Sequence, residues 1–487
     1  MAEPVPISLG RGSNKGRHGP EGVAAFVNCY VEHLGEGGKV EWPIYAINGL
    51  DAFGDALTGG GLVRAMLTVD AQVLIVSGRQ LFATNIGGSP MTLVGGIASD
   101  GFVTMARNRR SPNPQVAIVC DGLWYIYTSG TLTQGTDPDL PPPIAVVEVD
   151  GFFVFVIADG RWYISAVDDA TIDGLDFTEA QSSPDQNVMA AVRGRELIIM
   201  GQRSLEFYVD NGGQGDFPFT RIQTARIGCY AAGSVQQVIL QPPGGSAVDS
   251  VIWAATDSEG TYAGIRVLDG YSGTQISNTE VDILVRAEPN PADLRSKAWT
   301  EDEHSFYEIS GTAFSMRWDS GTGQWFQVKS FGLDRHRTGP HAQIGQVHLF
   351  GDYATNLLYA SNPDTFDEVG EVILMQVVTP PVHMFPNPFI IDEVFIDAIT
   401  GVGVNSSADE DASPQLMLDY SDDGGQSFGG LRQIDLGADA QRHVQLRETS
   451  FGRFGANGVS FRLSCSARVV WGLLAAAVTA RKLKMAA

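Results

Sequence analysis

One pattern recurs along this chain and restricts what it can become. An apolar run enters a short turn carrying Gly or Asp, and an aromatic-rich run leaves it. The clearest copies are Val73-Leu-Ile-Val-Ser-Gly-Arg-Gln-Leu-Phe82, Val116-Ala-Ile-Val-Cys-Asp-Gly-Leu-Trp-Tyr-Ile-Tyr127 and Phe152-Phe-Val-Phe-Val-Ile-Ala-Asp-Gly-Arg-Trp-Tyr163; looser ones span residues 197–208, 251–267, 305–318 and 347–359. Each predicts a β-hairpin, because β-branched and aromatic side chains fit a pleated, half-buried surface and Gly or Asp accepts the turn. A further short β-type run precedes most copies, at residues 62–69 before the first and 144–149 before the third. That gives three or more strands per unit.

A lone hairpin cannot bury its apolar face, so repeated ones must stack on each other. Seven units at a spacing of about 36 to 54 residues match the blades of a β-propeller. The expectation is therefore an all-β protein with a seven-bladed propeller over residues 61–378. The chain has 487 residues, too many for one ordinary core, so at least two domains are expected. Residues 1–60 read as an amino-terminal arm and first strands. Within them, residues 1–20 scatter glycines among Arg11, Lys15, Arg17 and His18 and predict an extended or flexible arm. An alternating strand follows at 26–32, and another runs into a turn at 45–50.

Proline marks the other boundary. Residues 379–388 contain four prolines in ten, the pattern of a stiff extended connector with few ladder hydrogen bonds. Two more Pro-rich stretches, 135–143 and 241–246, read as connections within the repeat region. Beyond the connector, expected strands at 389–398, 415–420, 443–446, 459–464 and 469–473 suggest a carboxy-terminal β-sandwich over 389–487. The acidic stretch 405–413 reads as a polar loop.

Charge narrows the partners. A formal net charge of -24 argues against a nucleic-acid grip, which needs a basic stripe. Cys29, Cys120, Cys229 and Cys465 lie far apart with no CxxC and read as reduced core residues from a reducing compartment. No secretory leader pattern opens the sequence, and the apolar run 469–480 is shorter than the roughly 20 residues of a spanning helix. The chain is expected to be soluble, with no stable membrane insertion.

Little in the sequence points to catalysis. Ser421, Asp423, Gly425 and Phe428 match the Asp-box pattern Ser-x-Asp-x-Gly-x-x-aromatic, in which Asp and Ser bond backbone groups of a tight turn. Such boxes are prominent in sialidase-type propellers, yet one box outside the propeller region reads as a turn staple. His336, His341 and His348 have spacings that match no compact zinc site. Asp409 to Asp411 lack the ligand pattern of an EF-hand loop. There is no phosphate-binding Gly loop ending in Lys-Ser/Thr and no Gly-x-Ser-x-Gly elbow. No catalytic residue, metal ligand or cofactor is assigned.

Four stretches nevertheless carry a likeness. They are Pro6-Ile-Ser-Leu-Gly-Arg-Gly12 leading to Val27-Asn-Cys-Tyr-Val-Glu32, and the turn Asn48-Gly49-Leu50. Next come residues 183–188, 197–208 and 226–233, with a Ser-x-Glu-aromatic-aromatic strand and a Gly-rich step in order. Last are residues 418–425, Arg453-Phe-Gly455 and Phe461-Arg-Leu463. In this order they resemble the tail hub or nozzle proteins of short-tailed bacteriophages, the packaged-DNA stabilisation family. At Asn48-Gly49 the family tends to have Pro-Gly, and this chain departs.

That resemblance implies a structural virion protein of the tail, assembled in the cytoplasm of a host bacterium. A hexameric ring would continue the tail tube below the portal and its adaptor ring. It would bear the needle or plug and the tailspikes or fibres, and carry DNA through its lumen without sequence-specific binding. Surplus negative charge suits a conduit that repels phosphates. The basic residues of the arm and of Arg481-Lys-Leu-Lys484 are expected to face neighbours. Two other classes stay open. An Asp-box propeller glycan hydrolase, sialidase-like, needs convergent carboxylates and arginines at the propeller mouth. A carbohydrate-binding propeller needs exposed aromatics, for which Trp124, Trp162, Trp253 and Trp325 are the candidates, although blade packing would bury them.

Overall fold

A computed structural model describes residues 3–18, 21–35, 39–180, 185–212, 217–240, 246–404, 409–442 and 444–483. Each recurring hairpin forms the second and third strands of an antiparallel blade, four-stranded in the first four blades and joined by further strands in the last three. In the second blade, Gln115–Cys120 pairs with Leu123–Thr128, and the turn between them places Asp121 and Gly122 at φ 47° and 79°. The first two strands of the third blade, Ala145–Val149 and Phe152–Val156, are joined the same way by Asp150 and Gly151 at φ 52° and 92°. Two successive left-handed residues give a turn whose twist matches that of the strands, which is why Asp-Gly recurs at these points.

Among the described residues seven blades result. Their first strands are Val63–Val69, Val103–Arg107, Ala145–Val149, Asn187–Arg193, Gln236–Leu240, Arg295–Glu301 and Thr338–Ile344. Each packs beside the next, and the seventh packs beside the first, so the ring closes. The outer strand of blade 7 is Gly49–Ala52, which pairs with Leu358–Asn362 from the far end of the ring. Strand pairing thus crosses the boundary expected at residue 60: the propeller is latched by a segment that precedes its first blade. Ion pairs add to the latch between blades 1 and 2, where Arg107 meets Asp70, and between blades 3 and 4, where Arg195 Nε lies 2.9 Å from Asp150.

The carboxy-terminal body is a sandwich of two sheets, and both contain amino-terminal strands. One holds Val5–Ile7, Cys29–Val31 and Ile44–Ala46 with Gly472–Lys482, Phe389–Ala398 and Leu446–Phe454. The other runs Ala25–Val27, Met375–Val378, Ser460–Cys465, Gln415–Ser421, Gly429–Asp435. Between them Phe26, Phe389, Ile391, Leu416, Leu418, Phe461 and Leu463 form one core, shared with Phe306, Phe326 and Phe350 of the propeller. This second sheet also joins blade 6 directly, since Val27 pairs in parallel with Gln327.

Several expectations move accordingly. The single strand expected at 26–32 is broken at Asn28, which takes φ 55° and sends Ala25–Val27 and Cys29–Val31 into different sheets. Its side chain fixes the break: Nδ2 donates to the carbonyls of Lys329 (2.8 Å) and Leu374 (3.0 Å), and Oδ1 accepts from the Lys329 amide at 2.8 Å. The arm is not free. Val5–Ile7 pairs with Val478 to Ala476, Leu9 is buried, and Ser13 bonds both Phe26 and the Trp325 carbonyl. Gly19 lies outside the described residues.

The Pro-rich connector does not part propeller from sandwich, because Met375–Val378 already pairs with Cys465 to Arg462. It carries the chain from one sandwich sheet to the other, with a bridge between Val382 and Val459 on the way. The strand expected at 443–446 begins at Leu446, and His443 lies outside the described residues. The last strand is Gly472–Lys482 rather than 469–473. Residues 241–245 and 405–408 of the expected loops also lie outside the described residues. No helix of the described residues is long and apolar enough to cross a membrane.

Candidate functional site

The densest chemistry in the molecule sits where blades 6 and 7 meet the sandwich. Glu308 is at the centre of the strand His304–Ser310 of blade 6, with Lys297 opposite it on one neighbouring strand and Arg317 opposite it on the other. Lys297 Nζ lies 2.6 Å from Oε1, while Arg317 Nε and Nη2 reach Oε2 at 3.0 and 2.9 Å. All three side chains are buried. Arg317 also lies over the Trp299 ring at 4.7 Å, so apolar surface covers the charge from water.

The network continues into blade 7. Lys297 Nζ donates to Thr338 Oγ1 at 2.8 Å, and His336 stands between two carboxylates, 3.4 Å from Glu308 and 3.4 Å from Glu368. Arg337 Nε lies 3.0 Å from Glu368, whose short strand Asp367–Glu368 pairs with the latch at Leu50. Burial alone raises a carboxyl's pKa; at Glu308 the charges of Lys297, Arg317 and His336 outweigh it and hold the group well below its usual range. Glu368 is likewise lowered against its burial by His336 and Arg337. Burial pushes Lys297 down to about 8, against the pull of Glu308. A carboxylate fixed by a lysine, an arginine and an imidazole is held ionised and is a poor base. The arrangement is a clamp.

The other histidines do not converge with His336. His341 Nε2 and His348 Nδ1 are 3.1 Å apart in rings tilted by 21°, one imidazole donating to the other. Burial, aided by His348 and Lys297, lowers His341 to about 3. Among the described residues no group of three or more His, Cys, Asp or Glu could hold a metal ion. Asp411 receives the Arg468 amide at 2.8 Å; nothing is described for the side chain of Asp409.

The Asp-box residues close the hairpin between Gln415–Ser421 and Gly429–Asp435 of the sandwich. Ser421 Oγ donates to Asp423 Oδ1 at 2.7 Å and accepts from the Gly425 amide at 2.8 Å. Asp423 takes the Gln426 and Ser427 amides at 2.9 and 3.1 Å and the Ser427 hydroxyl at 2.5 Å. Bonds from Ser427 and Ser421 hold its carboxyl far below the usual range. Phe428 packs under the Arg462 guanidinium at 4.3 Å.

Trp162, Trp253 and Trp325 are buried and Trp124 is half-buried against Phe155, so these rings pack blades. The four cysteines are free and buried. Several basic residues expected to face neighbours are engaged within the chain: Arg11 over Trp42 at 4.3 Å, Lys15 with Glu280 at 3.5 Å, and Arg481 with Asp392 at 3.0 Å. Lys484 lies outside the described residues.

A closed propeller, its blades 6 and 7 clamped by buried charges and its sheet and core shared with a sandwich, defines an all-β scaffold. The family described as Bacteriophage P22 Gp10, beta-propeller, matches residues 43–366, from just before the latch strand to just past the last blade, and the chain belongs to that family. It is a structural protein of the phage tail and so of the virion. No curated protein matches the chain. Among solved structures, the computationally designed Ika8 protein is similar at 12% identity over 70% of this chain and 100% of that one, with a TM-score of 0.37, a likeness too slight to bear on function.

Proposed function

We propose that six copies form the hub or nozzle ring at the distal end of a short tail. The observation that carries this is the family match across the whole latched propeller. Continuous sheet between blade 6 and the sandwich supports it, because a ring that retains pressurised DNA needs a body whose parts do not slide. In this reading the propeller supplies bulk and lateral contacts. The sandwich, built from both ends of the chain, supplies docking surface for the adaptor ring, the needle or plug, and tailspikes or fibres. Assembly takes place in the host cytoplasm. The Asp box acts as a turn staple, and the protein turns over no substrate.

Charge fits a passage rather than a grip. Each basic contact to DNA releases counterions and adds affinity, so a lumen lined by Lys and Arg would stall the genome. A chain at -24 presents an acidic or neutral wall. The test is phage production without this protein. Filled heads that lack it should lose their DNA to nuclease, and added purified chain should restore retention. Particles that keep both DNA and a complete tail without it would overturn the proposal.

A further inference from the structure

The rim of blade 3 carries an unpartnered feature that the fold does not need. Its outer strand, Ile172–Glu179, is a sheet edge with a neighbour on one side only among the described residues. Pairing with Arg161–Ser165 jumps from Phe177↔Tyr163 to Ile172↔Ser165, so residues 173–176 bulge away from the sheet. Leu175 sits on this bulge at 84% exposure, more than any other large apolar side chain of the described residues. Asp173 Oδ1 accepts the Leu175 amide at 3.0 Å and holds the bulge out. Residues 167–179 contain five carboxylates and no Lys or Arg. Asp168 and Asp169 are engaged by Arg109 and Arg110 of the same chain, which leaves Asp173 and Asp176 flanking the bare leucine.

The complementary surface lies on the same molecule. Residues 11–18 carry Arg11, Lys15, Arg17 and His18 and no carboxylate, in a chain of net charge -24. Lys15 is engaged by Glu280, Arg11 lies over Trp42 and the His18 amide meets Glu21, so the strap's charge toward a neighbour rests on Arg17, which is exposed and makes no ion pair among the described residues. This strap crosses the joint of blades 5 and 6, bonded to the Trp325 carbonyl on one side and to Glu280 on the other. From blade 3 to that joint is two and a half blades, roughly 130° round a seven-bladed disc. The two neighbours of a subunit in a closed ring of six lie about 120° apart, so with the disc in the ring plane the patches face successive copies.

We infer that the acidic, leucine-tipped edge of blade 3 docks against the basic strap of a second copy, head to tail around the ring. This rests on the hexameric ring proposed above and names the surfaces that join it. Such heterologous contacts close when the rotation per copy divides the circle.

The full chain can be titrated by light scattering as wild type, Leu175→Ser, Asp176→Lys, Arg17→Glu and the last two combined. Unchanged melting temperatures establish that each substitution leaves the fold intact. Leu175→Ser should raise the half-assembly concentration about tenfold or more, since it removes one buried leucine from every contact. Each charge reversal should weaken assembly, and the combination should recover it. In a second measurement, Asp176→Cys/Arg17→Cys treated with a bis-maleimide should give a ladder of linked chains, the four native cysteines being buried. Rings that assemble at wild-type concentration in every variant, or give no ladder, would overturn this interface while leaving the ring standing. A wild-type chain that stays monomeric would overturn the ring and the interface with it.

Discussion

Val27 pairs with Gln327 in parallel register, and through that pair blade 6 and one face of the sandwich become a single nine-stranded sheet. Propeller and sandwich should therefore melt as one unit. Scanning calorimetry should show a single cooperative transition, and Asn28→Ala should lower its midpoint by removing the bonds that hold the strand break. Two well-separated transitions would contradict the shared core.

The buried clamp makes a sharper claim about one side chain. Glu308→Leu leaves Lys297 and Arg317 buried without their anion, which costs about 3–5 kcal/mol. Denaturant titration reads that loss. Replacing Lys297 and Arg317 by apolar residues as well should recover most of it, because the cost lies in the orphaned charges. A single mutant as stable as wild type would mean that water reaches the clamp.

The same carboxylates set a pH dependence. Glu308 and Glu368 are lowered in the fold relative to the ordinary glutamate value of 4.5, so the folded state holds fewer protons than the unfolded one as pH falls through that value. Their stabilisation is fully present above about pH 4.5 and is lost progressively below it. Melting temperature should fall on acidification from pH 6 to about pH 3, less steeply in Glu368→Gln. A flat profile would contradict the lowered values.

At the Asp box, Asp423→Ala removes the acceptor for the Gln426 and Ser427 amides. Hydrogen exchange at those two amides should accelerate while the propeller strands keep their protection. Equal exchange in mutant and wild type would show the pattern to be accidental.

The blade hairpins were legible because two signals coincide in them: a buried apolar strand and an Asp or Gly that takes positive φ, as at Asp121-Gly122. The latch was not. Gly49–Ala52 is four residues long, too short for a period, and its partner lies some 300 residues away at Leu358–Asn362. Strands were read at 26–32 and 45–50, but their sandwich partners lie more than 300 residues away and stayed hidden, and glycines among charges read as a loose arm although Ser13 and Leu9 are buried. Asn28 offered a faint signal, since Asn tolerates the left-handed region better than its β-branched neighbours. The clamp was invisible as a unit because Lys297, Glu308, Arg317, His336 and Glu368 are scattered along the chain. A charge midway through an apolar strand, as in Tyr307-Glu308-Ile309, is the one local sign of it.

Electron microscopy of the purified chain tests the central claim most directly. Class averages should show six-fold rings with an axial opening, each subunit bearing a disc-shaped propeller fused to a smaller lobe. Monodisperse particles of a single chain at concentrations where phage tails assemble would contradict the account.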